Sequence, residues 1–69
     1  MMDKKTLEFI LQEYEKRSIY LSDELKGLDQ IKMVAPETYR NMISTIQGKI
    51  IENNLGIIFI QQELLKLIK

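Results

Sequence analysis

The chain has no cysteine, no histidine and no tryptophan, and each absence closes off a class of chemistry. Without cysteine there is no disulfide framework, no thiol nucleophile and no zinc finger. Without histidine the commonest metal ligand and general base is missing as well. Glycine is scarce, and its three copies, Gly27, Gly48 and Gly56, lie too far apart to form a phosphate-cradling loop or a dinucleotide fingerprint. Neither sign of charge is in excess, ten basic residues standing against ten acidic ones, which argues against a sequence-independent nucleic-acid binder. No apolar run approaches the roughly 20 residues that span a bilayer. The apolar stretch near the N-terminus is broken by Glu8 and followed by Gln12, Glu13 and Glu15, which excludes a signal-peptide core, so the expected location is cytoplasmic.

What is present is a globular balance, 45% apolar and 29% charged, in 69 residues. A chain this short rarely draws more than about 3 to 5 kcal/mol from its own core and usually relies on a staple, a metal or a partner. With the first two absent or improbable on composition, a partner chain is the expectation, and no cofactor or metal is.

Pro36, the only proline, divides the sequence nearly in half. Proline disfavours helical backbone in the residue before it and suits the first position of a helix. Upstream, Leu7, Leu11, Tyr14, Ser18, Leu21, Leu25 and Leu28 alternate steps of four and three residues; downstream, Tyr39, Ile43, Ile46, Ile50, Asn53, Ile57, Ile60, Leu64 and Leu67 keep the same rhythm. That is the spacing of a helix seam packed on another helix. The reading is an all-α, antiparallel, coiled-coil-like hairpin forming one domain over residues 1–69, with helix 1 at about 4–32, a connection at about 33–36 and helix 2 at about 37–68. Asp3 is placed to cap the first helix.

Each seam carries one strongly polar residue. If the helices fold back about Pro36, positions whose numbers sum to about 71 face each other, which sets Leu7 against Leu64, Leu21 against Ile50 and Ser18 against Asn53. Two interruptions then become one polar layer that fixes register at some loss of stability. Asn53-Asn54-Leu55-Gly56 could instead mark a turn that splits the second helix. The seam stays in phase across it, which favours a continuous helix, locally bent if at all.

The second helix has a further apolar group, Ile51, Leu55, Ile58 and Leu65 with Phe59 at its margin, separated from the seam by Arg40, Gln47, Asn54 and Gln61. It cannot turn into the hairpin, and left in water it would be an aggregation hazard. These five residues are the predicted partner-binding site. The rival is that the stripe closes a homodimeric four-helix bundle. Phe9, Ile10, Ile19 and Tyr20 make a weaker, scattered set on the first helix. The acidic pairs Glu13 with Glu15 and Asp23 with Glu24 point to different helix faces rather than converging across a cleft, so a non-enzyme with no small-molecule substrate is expected.

Pro36-Glu37-Thr38-Tyr39 resembles the Pro-Glu-x-Tyr opening of the second helix in small co-chaperones of the needle subunit of bacterial type III secretion. Ile51-Glu52-Asn53-Asn54-Leu55-Gly56-Ile57-Ile58 is similar to the small-residue and aliphatic stretch later in that helix. The resemblance spans about half the chain and finds no counterpart in the first helix. It implies a cytoplasmic helper that pairs with a larger helical-repeat chaperone and keeps the needle subunit from polymerising. A different class of protein with the same features is a small regulator encoded by a mobile element, which blocks a cellular protein by laying a helix into its groove.

Overall fold

The computed structural model describes residues 3–68. They form two helices, α1 (Lys4–Leu28) and α2 (Pro36–Ile68), packed against each other and joined through a single 3₁₀ turn at Asp29–Ile31. The hairpin is a thin rod, 53 × 15 × 14 Å.

Local chemistry sets the helix ends. The Asp3 carboxylate accepts the Thr6 N–H at 2.8 Å, capping α1. That bond holds the Asp3 carboxyl below its ordinary 3.8. Its stabilisation is therefore complete above the ordinary carboxylate range and is lost as pH falls through the lowered value. At the other end α1 stops about four residues before the expected boundary, because the Asp29 N–H reaches back to the Lys26 carbonyl and tightens the coil into the 3₁₀ turn. The Ala35 N–H then bonds the Ile31 carbonyl at 2.8 Å, and the Ala35 carbonyl accepts the Tyr39 N–H at 2.9 Å. Pro36 is the first residue of α2, where its missing N–H leaves nothing unsatisfied. Lys32 reaches over the Tyr39 ring, 5.8 Å from its centroid, tying the connection to the helix that follows.

The core is the meeting of the two seams. Leu7, Leu21 and Leu28 of α1 and Ile46, Asn53 and Ile60 of α2 are buried, and every other seam residue except Leu67 is partly so. Leu67, near the end of α2, is 42% exposed. The main cluster, Leu21, Leu28 and Ile46, lies toward the connection, with Leu25, Ile31, Tyr39, Ile43 and Ile50 packed on it. Ile31 joins this core from the 3₁₀ turn, outside the predicted seam.

Helix α2 runs unbroken through Asn53–Gly56. Gly56 is needed there for space: a Cβ at this position would lie 2.5 Å from Cζ of the Tyr14 ring, which packs directly on the α2 backbone. Gly27 and Gly48 have open space around them. Replacing either with alanine is expected to stabilise the hairpin by about 0.5 to 1 kcal/mol. Gly56→Ala should gain less than either or lose stability, because the phenol end of the Tyr14 ring must shift to admit the methyl group. Urea denaturation of the three variants checks this, and a Gly56→Ala gain equal to the other two would contradict the packing of Tyr14.

Candidate partner-binding face and register layer

Asn53 is 3% exposed, the only buried polar residue among those described. Its side-chain amide donates two hydrogen bonds to α1, one to the Ser18 hydroxyl at 2.8 Å and one to the Tyr14 carbonyl at 3.0 Å. The Tyr14 carbonyl can only accept, so the amide nitrogen has to face it. The predicted pairing of Ser18 with Asn53 is thus present, with a third participant that sequence periodicity cannot show, a main-chain carbonyl within α1. Both amide protons are used, while Asn53 Oδ1 is buried without a partner. An unsatisfied buried acceptor costs on the order of 1 to 3 kcal/mol, so the layer specifies alignment at the expense of stability. Beside it lies a small cleft of about 170 Å³, lined by Ser18, Leu21, Ser22, Ile50 and Asn53 among others.

The five predicted docking residues all stand on the outer side of α2. Ile58 is 49% exposed, Phe59 53%, and Ile51, Leu55 and Leu65 61% each. From Ile51 to Leu65 they follow the helix for about 21 Å. The face is weakly charged: Glu52 makes no ion pair among the described residues, and Lys66 has an exposed contact with Glu63 at 3.5 Å. Elsewhere Glu13 pairs with Lys16, one residue short of the Arg17 partner that helix spacing also allows.

On α1, Phe9, Ile10 and Tyr20 are less scattered than their sequence positions suggest. With Tyr14 and Arg17 they line an open groove of about 630 Å³ along one flank of the helix. The Glu24 carboxylate, one turn on, holds the Tyr20 phenol in its protonated form and raises its ionisation above the ordinary 10.0. The signal for this groove was the i, i+4 and i+3 spacing of Phe9, Glu13, Lys16 and Tyr20, obscured by its mixture of aromatic and charged residues.

No family model, curated protein or solved structure matches the chain. No helix among the described residues is long and apolar enough to cross a membrane.

The register layer can be tested directly. Ser18→Ala combined with Asn53→Leu removes the unpaired carbonyl and lets the larger side chain use the adjacent cleft. The double variant should be more stable by about 1 to 3 kcal/mol in chemical denaturation, with faster amide exchange around the layer as alternative alignments open. A less stable double variant would mean that the layer contributes net stability.

Proposed function

We propose that the chain is a non-enzymatic, protein-binding adaptor that lays the outer face of α2 along a helix of a larger protein. The observation that carries this reading is the contrast between the two sides of one helix. The inner seam is filled by α1, while Ile51, Leu55, Ile58, Phe59 and Leu65 stand about half exposed or more along the outer face. Exposed apolar surface of this length on a small protein marks an interaction site, and an amphipathic helix docking in a groove or beside another helix is the recurrent way to bury it.

The resemblance of Pro36–Tyr39 and Ile51–Ile58 to needle co-chaperones gives the partner a chemical identity. In that setting the occupant of the face is a helical-repeat chaperone, and the pair holds a needle subunit unpolymerised in the cytoplasm. A hairpin with a thin core and a polar register layer suits such a role, since docking supplies the apolar contacts that the monomer lacks. Nothing in this reading requires a cofactor, a nucleic acid or a membrane.

The two faces of α2 separate function from folding. Ile58→Asp should abolish co-purification with a co-expressed helical-repeat needle chaperone while leaving far-UV helicity close to wild type. Ile50→Asp, which places a charge among Leu21, Leu25 and Ile46, should unfold the hairpin. Equal loss of helicity in both variants would sink the two-face reading, and retained capture by Ile58→Asp would sink the docking site.

A further inference from the structure

The exposed face of α2 has a period of its own. Ser44, Gly48, Ile51, Leu55, Ile58, Gln62 and Leu65 alternate steps of four and three residues, and all seven are exposed. A seam of this kind fits the matching seam of another helix rather than a flat surface. Two rows at heptad spacing flank it: Glu52, Phe59 and Lys66 on one side, Gln47, Asn54 and Gln61 on the other.

Those rows are complementary to themselves. With a second α2 laid antiparallel so that Leu55 meets Ile58 of the second copy, Ile51 packs on Gln62 and Leu65 fills the space above Gly48. On one flank Phe59 then meets its own counterpart, and Glu52 meets Lys66 twice by symmetry. On the other flank Asn54 meets Gln61, again twice, each an amide able to donate and accept. A parallel pair would set the charged row against the amide row and leave Glu52 and Lys66 unmatched. Sliding the antiparallel pair by one heptad would place Glu52 against Phe59 and Lys66 against Thr45. One arrangement satisfies both flanks, and it is the isologous kind that closes as a dimer.

The surface area leaves room for such a partner. A folded monomer of this mass exposes about 4,500 Å² by the usual scaling, whereas this chain exposes 5676 Å². The excess, on the order of 1,100 Å², is what a rod of two helices adds over a compact shape, and the uncovered face of α2 is one part of it. The Lys66 contact with Glu63 does not oppose the pairing, being a surface ion pair with the Lys66 side chain 72% exposed.

We infer that the free protein pairs with a second copy of itself through this outer seam of α2, antiparallel, with Glu52 of each chain on Lys66 of the other. The inference rests on the same face as the adaptor reading: the second copy covers the stripe until a larger partner displaces it.

Light scattering at about 50 µM should show a dimer. Glu52→Lys or Lys66→Glu, each turning two attractions into repulsions, should weaken it about tenfold, and the double reversal should return it to within about threefold of wild type. Circular dichroism of these surface variants reports whether folding is unchanged. Because the chain has no cysteine, single thiols read the register. Phe59→Cys should cross-link to itself through a bis-maleimide spacer of about 10 Å, while Glu52→Cys and Lys66→Cys should link efficiently through it only when mixed. A wild-type monomer at that concentration overturns the inference, as does a dimer indifferent to charge reversal or one in which Glu52→Cys links to itself. The adaptor reading fails separately: Glu52→Lys keeps every apolar side chain of the stripe, so a monomeric Glu52→Lys protein that no longer captures the helical-repeat chaperone counts against the adaptor while leaving self-pairing intact.

Discussion

The structure depends on one buried amide. Asn53 reaches across the helix interface and donates to the Tyr14 carbonyl and to the Ser18 hydroxyl, and the hydroxyl is met in only one heptad alignment of the two seams. Leucine and isoleucine seams are tolerant, since sliding one helix by a heptad exchanges one aliphatic layer for another of similar shape. Here such a slip would replace the Ser18 hydroxyl with a leucine side chain and leave the desolvated amide one hydrogen bond short. Alignment in turn decides which α1 side chain lies over Gly56, the place where the α2 backbone is open enough to receive the ring of Tyr14. The hydrogen bonds and the ring contact converge on the same turn of α1, so polar specificity and close packing reinforce each other.

Around that point the molecule is sparing with its apolar residues. A single line of contact between two helices buries six of the described residues and leaves the outer face of α2 uncovered. The thinness of the core and the exposure of the stripe have one origin, because a helix with two apolar faces cannot satisfy both with one neighbour. The second face is too regular in its spacing, and too consistent in its weak charge, to be a scatter of surface residues.

Much of this could be read in the sequence because helical seams are periodic. Nine positions in rhythm after Pro36 and seven before it gave the hairpin, and the coincidence of Ser18 with Asn53 gave its alignment. Separation of Ile51, Leu55 and Ile58 from the seam by Gln47, Asn54 and Gln61 placed them outside. What escaped detection has no period. The 3₁₀ turn brings Ile31 into the core by a change of helical pitch. The Tyr14 carbonyl serves as an acceptor through the main chain, which carries no residue signature. Gly56, weighed as a helix breaker or a turn, is instead a seat for an aromatic ring three-dimensionally adjacent and 42 residues away.

The position of the polar layer also bears on how the hairpin closes. Contacts near the connection join residues close in sequence, so the cluster of Leu21, Leu28 and Ile46 forms at the smallest loop entropy, and layers toward the termini follow at increasing separation. Asn53 and Ser18 lie just beyond that cluster and before Leu7 and Ile60. A closing chain in the wrong alignment therefore meets the unmatched amide midway, after the first apolar layers have engaged and before the ends have zipped. The polar layer thus sits where a misaligned hairpin, its first apolar layers engaged and its ends still open, would first bury an amide without its hydroxyl partner.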